Sequence, residues 1–273
     1  MSTASVRLEE QLRLHSSAVA DVSGLCASEL LQKEHYDQIS IDYESHYSDV
    51  SSIEYRRRFI YEPMFAGLNL SGLRVLDAMC GSGQTTEYLL SRNALVTGLD
   101  ISTEAIARFR ARWNNCRASC RSLLDSRLES DSFDCVVVVG GLHHTHPNLN
   151  EAVREIHRLL RPGGYFCFME PHSGSVADVV RRFWYKDDRF FSENEAAIDV
   201  NALQEEFSSR FAFNKVKYRG DVAFLLVLNS LIFRIPVRAK RYYSSLLMVL
   251  ETLVNKVQTK LSSCFVVAQW QKK

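Results

Sequence analysis

Two glycines behind an acidic strand end, further strand-end carboxylates and a histidine pair are the residues of this chain whose types and spacing could do chemistry. Asp77 precedes Cys80-Gly81-Ser82-Gly83, and a helix-like run starts at Gln84. A strand, a glycine-bearing turn and a helix present backbone N–H groups to a nucleotide-like ligand. Gly81 and Gly83 let the backbone bend sharply and let a ligand come close. Thr86 stands where a third glycine would complete a dinucleotide fingerprint. Asp100 follows at close to the interval of about 20 residues at which nucleotide folds place a ribose-binding acid. Helix capping is the alternative role for its carboxylate. His143 and His144 follow another apolar run. An imidazole there could deprotonate a nucleophile, or it could pack against the helix that follows.

The elements that must hold these residues alternate between strand and helix, which points to a parallel sheet covered on both faces. Strand candidates are 73–76, 94–99, 118–124, 134–139, 165–169, 211–218 and 263–270. The β-branched run 134–139 suits a fully buried parallel strand. Ser102 is a candidate N-cap for a helix whose face carries Ile106, Phe109 and Trp113. Asn148 with Glu151, and Ser192 with Glu195, read as capping boxes. The second would open a helix burying Val200, Leu203 and Phe207. Residues 1–62 form an N-terminal helical or lid segment, and 63–273 form the sheet domain with an insert at 221–260. Tyr36, Tyr43 and Tyr47 in the first segment either pack on the domain or close over a pocket.

With 273 residues, 46% hydrophobic and 24% charged, the chain can build one large core. A net charge of +1 builds no field for nucleic acid. Seven cysteines, an odd number lying mostly in apolar runs, read as reduced, cytoplasmic thiols. Cys116 and Cys120 lack a zinc-ligand pattern, so no metal is expected. The N-terminus has no apolar stretch of signal-peptide length, and Asn229, Ser230 and Arg234 interrupt the most apolar window, 222–237.

Taken in order, LDAMCGSG, GLDIS, SFDCVVVVGGLHH and EIHRLLRPGGYFCFMEP resemble the class I S-adenosylmethionine-dependent methyltransferases, over roughly residues 36–218 and the last strand. The resemblance implies an α/β, doubly wound, mostly parallel seven-stranded Rossmann-like sheet with helices on both faces and an antiparallel last strand. It implies S-adenosyl-L-methionine as cofactor, held around the turn by Asp77, Ala78, Met79, Cys80, Gly81 and Gly83. Asp100 would meet the ribose and Asp125 the adenine, with Ile101, Leu124 and Gly140 also binding the cofactor. Ser122 is the competing register for Asp125. Asp77 would hold either the turn or the methionine amino group. Met79 departs from the family, which commonly has glycine there.

His143 and His144 are the catalytic candidates. Transfer from a sulfonium is an in-line displacement, so proximity and orientation are an alternative source of rate. Methyl transfer to a small, partly apolar acceptor is expected, with oxygen favoured over nitrogen or carbon. A non-catalytic cofactor-binding subunit is the alternative, and a nicotinamide-dependent oxidoreductase a weaker one. The insert 221–260 reads as two apolar helices separated at Pro236, the second with a stripe of Leu246, Leu250, Leu253 and Val257. Its cover would be the chain's own acceptor pocket, a second copy in a homodimer, or a membrane surface met by Arg234, Arg238, Lys240 and Arg241. The pocket lid is the expectation.

Overall fold

A computed structural model describes residues 29–30, 33–34, 46–184 and 196–273. Seven strands form one sheet: β1 (Arg74–Ala78), β2 (Leu95–Asp100), β3 (Arg117–Cys120), β4 (Phe133–Val139), β5 (Leu160–Pro171), β6 (Phe211–Arg219) and β7 (Phe265–Lys272). Their spatial order is β3-β2-β1-β4-β5-β7-β6. The β3, β2, β1, β4 and β5 neighbours are parallel, and β7 runs antiparallel to both β5 and β6. The doubly wound sheet with an antiparallel last strand is the expected one.

The central strand shows why the sequence chooses it. Every residue of β4 but Val139 is buried, and its side chains alternate between two cores. Val136 and Val138 pack with α4 (Leu149–Leu159) and α6 (Val200–Glu206). Cys135 and Val137 pack on the other face with the helical segment that begins at α1 (Val50–Tyr55), continues as a π-helical stretch Arg56–Tyr61 and ends at Glu62–Met64. α2 (Gln84–Ser91) lies against the same face through Leu89. α3 (Thr103–Arg112) starts where expected, with Ser102 Oγ accepting the amide of Ala105.

Several local expectations fail. β3 stops at Cys120, short of 124. Asn148 occupies the N-cap of α4 without a side-chain cap bond, and Glu151 pairs instead with Arg154 at 3.2 Å. Ser192 and Glu195 lie outside the described residues. The helix assigned to them begins only at Val200, capped by Asp199, whose carboxylate accepts the amides of Asn201 and Ala202.

The insert differs most. Its first half is a π-helical turn, Phe224–Leu228, followed by irregular turns rather than a continuous helix. Its second half is α7 (Lys240–Val254), which lies inside out. The buried residues are Lys240, Ser244, Met248 and Glu251, at i, i+4, i+8 and i+11. Lys240 Nζ donates to Asp49 Oδ2 at 2.6 Å and to Ser52 Oγ at 2.8 Å. Glu251 accepts from the Tyr55 hydroxyl at 2.7 Å and from the amides of Asp221 and Ala223. Burial is tolerable for these groups because each is hydrogen-bonded. The apolar stripe expected to cover the pocket faces outward, so α7 is not the lid. Among the described residues no helix is long and apolar enough to cross a membrane.

Candidate functional site

In open α/β sheets the crevice opens at the carboxyl ends of the strands where the strand order reverses, here between β1 and β4. A cavity of about 280 Å³ lies there. The turn after β1 lines it with Met79, Cys80, Gly81 and Ser82, the loop after β4 with Gly140, Gly141, His143 and His144, and the end of β2 with Asp100 and Ile101. A side compartment of about 40 Å³ adjoins it, lined by Ser122, Leu123, Leu124 and Arg121. Met79, Asp100, Ile101 and His144 line both.

The turn is built for a close approach. Gly81 (φ 54°) and Gly140 (φ 68°) are left-handed, and a Cβ on either would meet nothing within 4 Å. Both open onto the cavity, so the missing side chains leave a cradle for a ligand. Gly83 (φ 90°) is different. Its Cβ would stand 2.3 Å from Trp113 Nε1 and 2.9 Å from Phe109 Cδ2. Packing of Trp113 and of Phe109 on α3 is therefore what demands glycine at position 83, and Gly83, expected in the cofactor cradle, is not among the residues that line the cavity. Ala78 is likewise buried in the core and offers no side chain to the cavity.

Met79 is left-handed too (φ 57°), a conformation costing an L-residue roughly 1–2 kcal/mol, which gives the physical reason for glycine there. Its thioether fills space that Gly141 provides: a Cβ at Gly141 would lie 2.8 Å from Met79 Sδ.

The acids divide by role. Asp77 is buried and accepts from Thr86 Oγ1 at 2.6 Å. Burial pushes its carboxyl up to about 7; the Thr86 hydrogen bond pulls it down and the Asp100 charge pushes it further up. Asp100 accepts the amide of Gly81 at 2.8 Å and that of Ser102 at 2.9 Å. It thus locks the turn and holds Ser102, the N-cap of α3, while lining both spaces. Asp125 does not reach the site. Its carboxylate is 63% exposed and pairs with Arg127. Because β3 ends early, Ser122 takes the place beside Leu124, whose amide it accepts at 2.9 Å. Cys80 keeps its proton, since burial and then Asp100 and Asp77 push its thiol well above the usual value.

The histidines are not equivalent. His143 Nδ1 lies 2.7 Å from Glu170 Oε2. Glu170 ends β5, is wholly buried, and also accepts the amides of Leu142 (2.7 Å), Gly141 (2.8 Å) and His143 (3.3 Å). One carboxylate thus shapes the loop and orients the ring. With the proton on Nδ1 facing Glu170, Nε2 carries the lone pair. His144 lies against His143, ring centroids 3.8 Å apart and planes tilted by 38°, and lines both spaces. Glu170 escaped the sequence reading, although it sits in the quoted MEP at a strand end where ligand-facing acids occur.

Beyond the histidines the cavity is walled by Ile60, Phe224, Leu228, Leu231 and Ile232, so the first half of the insert does reach the site. Tyr47 lines it as well, with its hydroxyl donating to Asn229 Oδ1 at 3.0 Å. Tyr36 and Tyr43 lie outside the described residues. Arg56, a buried cation missed from sequence, lines this end and donates to the Tyr47 carbonyl at 2.6 Å. Among the described residues no cluster of His, Cys, Asp or Glu could hold a metal.

Residues 75–164 match a family model described as a methyltransferase domain. Over those residues the chain carries a methyltransferase domain. That domain is 37% identical over 107 residues to an uncharacterized methyltransferase of Synechocystis, a match covering 38% of this chain and 50% of that one. It is 32% identical over 115 residues to a fatty-acid O-methyltransferase of Mycolicibacterium smegmatis, covering 41% and 42%. The chain thus spans half or less of the length of these relatives. An N-methyltransferase from Bradyrhizobium japonicum, solved with S-adenosyl-L-homocysteine, shares the fold with a TM-score of 0.55 at 14% identity, over 87% of this chain and 98% of that one. The methyltransferase domain contributes the glycine turn, Asp100 and the His143 loop. Glu170 and the insert lie beyond the matched residues.

Proposed function

We propose that this protein transfers a methyl group from S-adenosyl-L-methionine to a hydroxyl oxygen of a partly apolar acceptor. The Glu170–His143 pair at the cavity is the observation that carries it. A hydroxyl must lose a proton as its oxygen is methylated, and an imidazole oriented by a carboxylate suits that task. A carboxylate acceptor would need no such base. Relatives named as O-methyltransferases, of ubiquinone biosynthesis among them, support oxygen, and the walls of Ile60, Leu228 and Ile232 suit an apolar portion.

When bound, S-adenosyl-L-methionine supplies an electrophilic methyl group on a sulfonium. The Gly81 and Gly140 cradle admits it, and the amides at the start of α2 suit its carboxylate. Asp77 suits its ammonium, Asp100 its ribose hydroxyls, and the Ser122–Leu124 compartment its adenine. His143 Nε2 takes the acceptor proton, and Glu170 stabilises the resulting imidazolium. Calorimetry with S-adenosylhomocysteine, followed by turnover of methyl-labelled cofactor with a panel of phenols, alcohols, amines and fatty acids, tests this assignment. Hydroxyl compounds are expected to be labelled; labelling confined to amines or to fatty acids, or binding without any turnover, refutes it.

The Asp77 carboxyl adds a pH signature. An unfolded aspartate ionises near 4, so the folded chain keeps this proton until the pH passes about 7. A cation bound beside it favours the ionised form, so ligand binding releases a proton. Affinity for S-adenosylhomocysteine is therefore expected to rise from about pH 6 to about pH 8, and the rise to vanish in Asp77→Asn. An affinity flat across that range would remove Asp77 from the ligand.

A further inference from the structure

We propose that the outward face of α7, continued by α5 (Val176–Trp184), docks the protein on an anionic lipid surface. The helix is held to the domain by its polar side, through Lys240, Ser244 and Glu251. Its opposite side carries Tyr242 (76% exposed), Leu246 (66%), Val249, Leu250 and Leu253 (54%). On a helical wheel these five fall within an arc of about 100°, the width of a stripe that normally faces a core. Val257 and Leu261 extend it beyond the helix and are equally exposed. The Leu261 carbonyl accepts the amide of Val176 at 3.0 Å, which brings the exposed Val176, Val179 and Val180 of α5 alongside. Exposed apolar residues scattered singly need no explanation; a contiguous surface spanning two helices marks a contact.

Charge selects the occupant. From residue 222 to the C-terminus the sequence holds a single acid, Glu251, and it is buried. Arg234, Arg238, Arg241 and Lys256, which flank or interleave with the stripe in sequence, are exposed. Lys240, expected to join them, is buried against Asp49 instead. A second copy packed on this face about a two-fold axis would bring cations against cations with no acid of the insert to separate them. An anionic headgroup layer meets the same rim with opposite charge. Tyr242, with the Arg241 guanidinium 4.6 Å from its ring centroid, has the amphipathic character of residues that sit at headgroup level. The face lies on the surface rather than spanning, with the apolar side chains in the acyl boundary and the arginines among the phosphates.

Flotation of the full chain tests this, with phosphatidylcholine vesicles against vesicles also containing phosphatidylglycerol. The protein is expected to float with the anionic vesicles and to be released as salt rises. Leu246→Gln with Leu253→Gln, both exposed, should abolish flotation. Arg234→Gln, Arg238→Gln and Arg241→Gln should each weaken it about fivefold. No flotation of the wild-type chain overturns the proposal, as does flotation that neither set of substitutions changes. Light scattering that shows a dimer dispersed by Leu246→Gln and Leu253→Gln, without vesicle binding, assigns the face to a second copy.

Discussion

Replacing His143 with alanine is expected to lower kcat by about 10²–10⁴-fold while leaving the affinity for S-adenosylhomocysteine unchanged. The split follows from geometry. His143 lines the cavity from the loop after β4, and its ring is fixed by Glu170 rather than by the glycine turn. Glu170→Gln keeps the length of the side chain but offers one accepting oxygen where the carboxylate offers two, so its NH2 group must face a donor of the loop. It also removes the anion that stabilises the imidazolium, and kcat is expected to fall, by less than in His143→Ala. A purely structural role for Glu170 would lower thermal stability and leave kcat of the folded protein unchanged. If His143→Ala loses less than about tenfold, proximity and orientation carry the transfer and the histidine only packs.

The second large effect separates two glycines that look alike in sequence. Gly81→Val is expected to remove detectable cofactor binding from a protein that still folds. Its side chain would enter the open cradle, and the left-handed backbone adds strain of roughly 1–2 kcal/mol. For a chain of this size each such unit lowers Tm by about 2–4 °C. Gly83→Val is expected to act on the fold first. The new side chain would collide with Trp113 and Phe109 and break the bond from Trp113 Nε1 to the Ser82 carbonyl. Thermal melts and calorimetry on the pair decide the matter. Gly81→Val that binds like the wild type would take the turn away from the cofactor.

Those glycines show what the sequence could and could not reveal. The strand–turn–helix unit was legible because β-branched runs buried on both faces admit few alternatives, and 134–139 maps onto β4 nearly residue for residue. Which glycine opens onto the cavity was not legible, since the need for glycine at position 83 comes from Trp113, a contact across the turn. Asp125 failed for a local reason: β3 is four residues long, and ending it late moved the acid into the site. Glu170 was visible as a strand-end acid, but its hold on three loop amides depends on the register of β5 against β4. The insert failed differently. Periodicity reveals an apolar stripe but not its direction, and Lys240, Ser244 and Glu251 read as a solvent face until Asp49, Ser51 and Tyr55 are seen against them.

The exchange of bulk between Met79 and Gly141 bears on which cofactors the protein could be made to accept. Met79 stands where the main cavity and the smaller compartment meet, and it fits only because position 141 has no side chain. It acts as a partition between two rooms, held in a conformation that glycine would adopt without strain. Met79→Gly would relieve the backbone and merge the two spaces. The enlarged site would then suit cofactor analogues bearing bulkier bases or transferable groups, which makes this one side chain the natural first position for redesigning cofactor scope.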